Sequence, residues 1–278
     1  MRAYAKINLG LVVFEKREDG YHDIETVFHR IDLFDEVTIE QSDAITVVSS
    51  DRDVPNDETN ICYKTAKVLQ QHLGVSEGVT ISIRKNIPVG AGLGGGSSDA
   101  ALVLQELPKF WQRSVDRETI RRMALQLGSD VPYFLGTGSA LARGRGEILE
   151  YFQLGIPYTI LLCSPAIHIS TAWAYNNVIP LKKAVNLKGL LLEGINTPIR
   201  LVNGLRNDFE PLIFRHYPEI MRVKEAMMRG GAEFALMSGS GSSVYGFFSR
   251  TDFADEVAKY FKSMGYRTYL TGPHFSPS

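Results

Sequence analysis

The chain has 278 residues, 44% of them hydrophobic, and its 30 Lys and Arg residues nearly balance its 31 Asp and Glu residues. This composition excludes a disordered tail, and a net charge of −1 argues against a nucleic-acid partner, whose binding is driven by phosphate neutralisation. The length exceeds the roughly 100–200 residues of a common domain, which favours two domains over a single large one. We place their boundary near Gly155, as 1–155 and 156–278.

Two cysteines, Cys62 and Cys163, lie too far apart in sequence for a C-x-x-C pair, and they are predicted to be buried structural thiols in a reducing compartment. The N-terminal segment carries Lys6 inside an apolar run and lacks a small-residue cleavage site, which predicts a strand and not a signal peptide. No apolar run approaches the ~20 residues that span a bilayer. We therefore expect a cytoplasmic protein without a membrane partner.

Hydrophobic periodicity indicates mixed α and β structure in the first half of the chain. Strands are predicted over residues 5–14, 25–40, 44–50 and 79–88, with a turn at Glu18-Asp19-Gly20 after the first and Pro88 ending the last. Helices are predicted over residues 60–73 and 116–127, followed by Gly74 and Gly128. Thr59 or Asn60 is the expected N-cap of the first helix, and Asp116 caps the second.

The second half alternates between strands and helices. Strands are predicted over residues 158–165 and 266–271 and on both sides of a Gly-Ser turn within 234–248. Helices are predicted over residues 171–178, 181–193, 218–229 and 252–265.

A glycine-rich segment lies between the strand that ends at Pro88 and a helix predicted to begin at Ser97, Ser98 or Asp99. Its glycines are Gly90, Gly92, Gly94, Gly95 and Gly96. Glycine lets the backbone approach a ligand closely, and a helix start presents unbonded N–H groups, so this layout predicts a phosphate site. The alternative is a flexible linker, which requires neither the strand before it nor the helix after it.

Three common phosphate-binding motifs fit this segment poorly. A P-loop requires a Gly-Lys pair, and the chain contains none. The pattern G-x-G-x-x-G occurs at Gly90, Gly92 and Gly95, but about 20 positions on, where a dinucleotide site needs an acidic residue after a strand, Asp116 is predicted to cap a helix. A protein kinase would need HRD and DFG motifs, which are missing.

The segment PVGAGLGGGSSDAA resembles the ATP-binding motif of the GHMP superfamily of small-molecule kinases, which includes galactokinase, homoserine kinase and mevalonate kinase. AYAKINLGL at Ala3–Leu11 and MSGSGSSVYG at Met237–Gly246 resemble the motifs that flank it in that superfamily. REDGYH at Arg17–His22, LGSDVPYFL at Leu127–Leu135 and NDFEP at Asn207–Pro211 are most similar to one branch. That branch phosphorylates a cytidyl diphosphate ester of methylerythritol in non-mevalonate isoprenoid synthesis.

The resemblance implies a two-domain α+β fold, with an N-terminal domain resembling a ribosomal-protein domain and a C-terminal ferredoxin-like domain. It implies that ATP gives its γ-phosphate to the 2-hydroxyl of the cytidyl diphosphate substrate. Mg²⁺ should accompany the nucleotide, near Ser97 or Ser98. The chain could act as a monomer or a homodimer. The alternatives are another alcohol kinase of the superfamily and, remotely, a non-catalytic RNA-binding module, which the near-neutral charge disfavours.

Two residues are expected to carry the catalysis. Lys6 lies in an apolar strand, where an ammonium is costly unless it is paired; the alternative is that its head extends to water. Asp130, or Ser129 before it, could simply cap a helix that begins near Pro132. The resemblance instead implies that Lys6 pairs with Asp130 and that Asp130 is the general base.

The resemblance also assigns binding residues. For the substrate it implies Asn8, Tyr21, His22 and Tyr175, with the two tyrosines stacking on cytosine and His22 bonding its edge. Tyr175 could otherwise be a core aromatic on a helix face, and His22 a turn residue. For ATP it implies Gly90, Gly92, Leu93, Gly94, Gly95, Gly96, Ser97, Ser98, Asn60, Ile61 and Lys85. Lys85 could equally be a solvated charge on a strand.

Overall fold

The computed structural model describes residues 1–180 and 185–277. Its strands are β1 Arg2–Lys16, β2 His22–Ser42, β3 Thr46–Ser49, β4 Gly78–Arg84, β5 Ser139–Arg143, β6 Ile148–Phe152, β7 Thr159–Ser164, β8 Phe234–Met237, β9 Val244–Phe248 and β10 Arg267–Thr271. Its helices are α1 Ile61–Leu73, α2 Gly95–Phe110, α3 Arg117–Leu127, α4 Val131–Phe134, α5 Thr171–Asn177, α6 Leu187–Gly194, α7 Pro198–Gly204, α8 Glu210–His216, α9 Pro218–Arg229 and α10 Thr251–Ser263.

Helices with strong end signals lie where they were predicted. Asn60 caps α1 through its side chain, which accepts a bond from the Cys62 amide, and Gly74 ends the helix in the left-handed conformation. Asp116 caps α3 in the same way through the Thr119 amide. The bounds of α9 agree with the predicted ones.

Other elements differ from the prediction. α2 begins at Gly95, earlier than the predicted start at 97–99, because Gly94 adopts a left-handed conformation that initiates the helix without a side-chain cap. β4 ends at Arg84, before Pro88. Of the helix predicted over 181–193, residues 181–184 lie outside the described residues, and α6 begins at Leu187 behind the cap Asn186. The hairpin of β5 and β6 was not predicted.

The described chain divides into two compact units that are discontinuous in sequence. The first comprises Met1–Ala5, Leu33–Val89 and Gly94–Thr137. The second comprises Lys6–Asp32, Gly90–Leu93 and the chain from Gly138 onwards. Because these units interleave along the sequence, they do not define a single boundary between two contiguous halves. The boundary near Gly155 therefore stays a prediction.

The first unit packs helices against a small sheet. β4 pairs antiparallel with the second half of β2, with Val37 opposite Ile83, and parallel with β3, with Val47 opposite Ile81. α1 packs against α2, and the apolar faces of these two helices are buried. The strand end of β4 and the start of α2 therefore belong to one packed unit.

The second unit contains a four-stranded antiparallel sheet in the order β10-β7-β9-β8. Along the chain, these four strands and the helices α9 and α10 follow one another as β-α-β-β-α-β. This order of elements, together with this order of strands in the sheet, is the ferredoxin-like arrangement. α9 and α10 cover the sheet through buried residues such as Val223, Met227, Ala258 and Phe261. The first half of β2 also belongs to this unit and pairs with β5, with Val27 opposite Leu141.

Both units combine strands with helices, as predicted for an α+β protein. Within residues 1–180 and 185–277, no helix combines the length and the apolar character needed to cross a membrane.

Candidate active site

Lys6 holds its ammonium group inside the second unit. The residue is 4% exposed in β1, a strand that is otherwise largely apolar and buried. Its Nζ donates to Asn8 Oδ1 at 2.7 Å and to the Gly92 carbonyl at 3.3 Å, and it lies 4.9 Å from the centroid of the Phe28 ring. The alternative that Lys6 extends to water is therefore wrong, and the cation is held against the backbone of the glycine-rich segment.

The amide of Asn8 is held in one orientation by Thr26. Asn8 Nδ2 donates to Thr26 Oγ1 at 2.9 Å, and the Thr26 hydroxyl donates to the Gly10 carbonyl at 2.6 Å. Because this hydroxyl proton is used on Gly10, Thr26 can only accept from Asn8, and Asn8 must turn its oxygen towards Lys6. Both ends of the amide are thus engaged, so the substrate contact expected of Asn8 competes with bonds already made and stays a prediction.

We expect Thr26→Val to lower kcat about tenfold with little change in the KM for ATP. The substitution preserves shape but leaves the buried Asn8 Nδ2 without its acceptor, at a cost of about 1–3 kcal/mol, and lets the amide turn away from Lys6. Thr46→Val is the matched control, because it removes an exposed Thr46–Thr80 hydroxyl contact of 2.8 Å. Equal kinetics for the two variants would show that Thr26 does not orient Asn8.

The tip of the glycine-rich segment, residues 90–93, is bound by residues from both flanking motifs. The Lys6 amide donates to Leu93 O at 3.0 Å, and the Ser243 amide donates to Ala91 O at 3.3 Å. Ser238 Oγ donates to Gly92 O at 3.0 Å and accepts from the backbone N–H of Asn8 at 3.2 Å. Three motifs that are far apart in sequence therefore meet at this tip.

Asn207, in the NDFEP motif, supports the serine-rich turn after β8. Its Nδ2 donates to Met237 O and to Gly239 O, at 2.8 Å each. The neighbouring Asp208 accepts from the Val13 amide at 2.9 Å. This motif therefore holds β1 and the turn that carries Ser238.

The start of α2 leaves backbone amides available for an anion. Gly94 caps the helix without a side-chain bond, so the first N–H groups of α2 lack that partner. Ser98 is buried and donates its amide to Gly94 O at 2.9 Å. Ile61 lies beside this helix start, because a Cβ added to Gly96 would lie 3.8 Å from Ile61 Cγ2. The side chain of Asn60 is already used as the N-cap of α1.

Asp130 occupies the N-cap position of α4, but its side chain makes no capping hydrogen bond. The residue is half-buried in the first unit. Asp130 therefore takes the N-cap position that the alternative gave it, but its carboxylate does not bond to the helix, and its expected role as a base stays a prediction.

The aromatic residues expected at the substrate lie in the second unit. The Tyr175 ring is 6.1 Å from the His22 ring and 4.9 Å from Phe209, which it meets edge to face. His22 Nδ1 donates to Phe14 O at 2.7 Å. Tyr21 is 55% exposed, and the Arg145 guanidinium lies 4.6 Å from its ring centroid. Arg145 was not anticipated, and stacking of Tyr21 and Tyr175 on a base stays a prediction.

Lys85 lies in a buried cluster with Asp35 and Asp99, and this cluster was not predicted from the sequence. Its ammonium pairs with Asp35 Oδ2 and, at 2.9 Å, with Asp99 Oδ2, and all three side chains are almost completely buried. Lys85 is therefore not a solvated charge. The alternation of inward-facing and outward-facing residues along β2 could have revealed Asp35, because Asp35 lies two residues from both Leu33 and Val37 on the buried face of the strand.

Comparison with known families identifies the class of protein. The model of the GHMP kinases N terminal domain matches residues 60–142, and that of the GHMP kinases C terminal domain matches residues 187–267. The chain belongs to the GHMP kinases and is a kinase, and the predicted two-domain α+β fold is confirmed.

Several relatives with about 40% identity or more share one name. The 4-diphosphocytidyl-2-C-methyl-D-erythritol kinase of Chlorobium limicola is 43% identical over 283 aligned residues, covering 99% of this chain and 97% of the relative. The protein of the same name from Chlorobium phaeobacteroides is also 43% identical, with 99% and 98% coverage. A crystal structure of 4-(cytidine 5'-diphospho)-2C-methyl-D-erythritol kinase matches with a TM-score of 0.85, 33% identity and 99% coverage of both chains.

Proposed function

We propose that this kinase transfers the γ-phosphate of ATP to the 2-hydroxyl of 4-diphosphocytidyl-2-C-methyl-D-erythritol, a step in non-mevalonate isoprenoid synthesis. The names of relatives with 43% identity support this acceptor. The observation that carries the proposal is the contact of the Lys6 ammonium with Gly92 O, because it brings a cation to the backbone of the segment expected to hold the phosphates. The free, buried thiols of Cys62 and Cys163 suit a reaction in the cytoplasm.

Phosphoryl transfer requires positioning and charge neutralisation more than covalent help from the protein. Amides at the start of α2 would bind the phosphates of ATP. Asp130 would accept the hydroxyl proton of the substrate. Because a carboxylate is a weak base towards an alcohol, this transfer would come late, and Lys6 would favour the developing alkoxide.

Mg²⁺ would enter with the nucleotide near Ser97 or Ser98. In the part of the chain that is described, no group of three or more His, Cys, Asp or Glu residues could hold a metal. A hydroxyl oxygen is a suitable hard ligand, and Mg²⁺ usually takes its remaining ligands from phosphate and water. Bound there, the ion would neutralise charge on the phosphates.

The cytidyl group would bind at the aromatic residues of the second unit. Tyr175 and Tyr21 would stack on the base, and His22 would bond its edge. Tyr175 is half-buried and lies beside His22, so an aromatic ring lies next to the histidine that would bind the base.

We expect Tyr175→Ala to raise the KM for the cytidyl substrate about tenfold or more, while the KM for ATP changes less than about threefold. Base stacking contributes about 1–3 kcal/mol, which the alanine variant would lose. Tyr260→Ala, at an exposed tyrosine of α10, is the control and should change neither constant. Equal increases in both constants for Tyr175→Ala would contradict the assignment.

The proposal is tested by measuring ADP release from Mg-ATP with a panel of acceptors. The panel comprises 4-diphosphocytidyl-2-C-methyl-D-erythritol, galactose, homoserine, mevalonate and no acceptor. Turnover with the cytidyl substrate alone is expected. Turnover with another acceptor would overturn the substrate assignment, and no turnover with any acceptor would overturn the proposed reaction.

A further inference from the structure

The buried cluster of Asp35, Lys85 and Asp99 connects the two ends of the glycine-rich segment. Asp35 lies in β2, Lys85 follows β4, and Asp99 lies in the first turns of α2. Their side chains are 0%, 4% and 4% exposed, respectively. All three belong to the first unit. Two carboxylates and one ammonium are thus held away from water, which is unfavourable unless the groups pair with one another.

On the strand side, Asp35 binds the chain that leads into the glycine-rich segment. Its Oδ1 accepts from the Asn86 amide at 2.6 Å and from the Ile87 amide at 2.9 Å. Its other oxygen, Oδ2, pairs with the Lys85 ammonium. Three consecutive residues, 85–87, are therefore held by one carboxylate, and β4 stops where these bonds begin.

On the helix side, Lys85 reaches the start of α2. Its Nζ donates to Asp99 Oδ2 at 2.9 Å. An added Cβ on Gly95, the first residue of α2, would lie 2.9 Å from Ile87 Cγ2 and 3.3 Å from Lys85 Nζ. The two ends of the segment are thus packed directly on each other, which explains why residue 95 is a glycine.

The surroundings of Asp99 are unfavourable to its charged carboxylate. Its Oδ1 is buried and has no hydrogen-bond partner among the described residues. Burial, together with the negative charge of Asp35, raises the pKa of Asp99 to about 7 despite the attraction of Lys85. Burial alone would lower the pKa of Lys85, but the two aspartates outweigh burial and raise it. The cluster therefore keeps its cation, while Asp99 is held in an unfavourable environment.

We propose that Asp35 and Asp99 are positioning residues that act through Lys85 to fix the two ends of the glycine-rich segment, so that its amides are ordered before a nucleoside triphosphate binds. The inference rests on the proposed function for the identity of that ligand. It assigns Lys85 to holding the segment and leaves the nucleotide to backbone amides. A preordered site binds more tightly because the ordering cost is met during folding.

Asp99→Ala is the decisive variant. It removes the connection to α2 but leaves the neutral Lys85–Asp35 pair and all the amide bonds of Asp35 in place. We expect ADP binding, measured by calorimetry, to weaken at least tenfold while the unfolding temperature stays close to that of the unaltered protein. In Asp99→Asn the side-chain amide oxygen can still accept from Lys85. The affinity of this variant for ADP should therefore lie within threefold of that of the unaltered protein.

Glu106→Ala is the matched control. Glu106 also lies on α2 and binds a lysine, with Lys109 Nζ 2.6 Å from its carboxylate, but Lys109 is exposed. ADP should bind to this variant as to the unaltered protein. Binding to Asp99→Ala within twofold of normal, equal weakening in Asp99→Ala and Asp99→Asn, or equal weakening in Asp99→Ala and Glu106→Ala would each overturn the inference.

The same titrations separate this inference from the proposed function. If the lysine contacted the nucleotide directly, Lys85→Met would weaken binding but Asp99→Ala would not, and that pattern would also overturn the inference. A protein that binds ADP with the expected variant pattern but does not phosphorylate the cytidyl substrate would support the positioning role and contradict only the proposed acceptor.

Discussion

Asp130→Asn is expected to lower kcat by about 10²–10⁴-fold, the range by which general bases accelerate reactions, while ATP affinity changes less than about twofold. The substitution keeps the size of the side chain but removes the group that would accept the hydroxyl proton. Because the Asp130 side chain makes no capping bond to α4, loss of its charge should not disturb the helix start. ATP affinity is measured by calorimetry, and kcat by ADP release with the cytidyl substrate.

Asp43→Asn is the control for that experiment. Asp43 is exposed in the turn between β2 and β3 of the same unit, so the same chemical change there should leave kcat unaltered. A kcat near normal for Asp130→Asn would contradict its role as the base. A parallel loss of ATP affinity would instead place Asp130 in nucleotide binding.

Gly92→Ala is expected to lower kcat/KM for ATP by about 100-fold or more. Gly92 has φ +79°, and an added Cβ would lie 2.3 Å from the Ser238 carbonyl oxygen, which is backbone and cannot move aside as a side chain tip could. The tip of the glycine-rich segment would have to shift from the bonds made by Lys6 and Ser238 to Gly92 O. Displacement of Lys6 and of the phosphate-binding backbone would act together.

Gly265→Ala separates this collision from backbone strain. Gly265 has φ +84°, close to the value at Gly92, but an added Cβ there would meet nothing within 4 Å. The control should lose about 1–2 kcal/mol of stability through the left-handed conformation and keep its activity. Both variants are compared by thermal unfolding and ADP release. Equal activity of the two would show that the contact between residues 92 and 238 is not needed for turnover.

The helices α1 and α3, whose capping residues lie next to the helix, were predicted correctly from the sequence. Asn60 and Gly74 bound α1, and Asp116 bounds α3, because a cap bonds to amides only two or three residues away. The start of α2 was misplaced because a polar residue is the usual cap, and at Gly94 a left-handed backbone takes that role. α7 and α8 were not predicted, because each has only seven residues and is too short to show a clear helical repeat of hydrophobic residues.

Long-range partners limited what could be inferred about the site. Lys6 was identified because an ammonium in an apolar strand requires an acceptor, but its acceptor Gly92 lies 86 residues away. Asp35 and Lys85, 50 residues apart, were missed as a pair for the same reason. Family resemblance supplied the roles of such residues, whereas only the folded chain gives the bonds, including the one by which Thr26 orients Asn8.

β2 runs without interruption from one compact unit into the other, changing at Asp32 and Leu33, and the glycine-rich segment belongs to both. Between residues 5 and 138 the chain passes five times from one unit to the other. No single cut in the gene therefore separates the two units, because any fragment that contains all of one unit also contains part of the other. Recombination that exchanged one contiguous half for that of a relative would mix strands and helices within the same core. We therefore expect substitutions and loop insertions, which leave both cores intact, to be tolerated better than the exchange of a contiguous half.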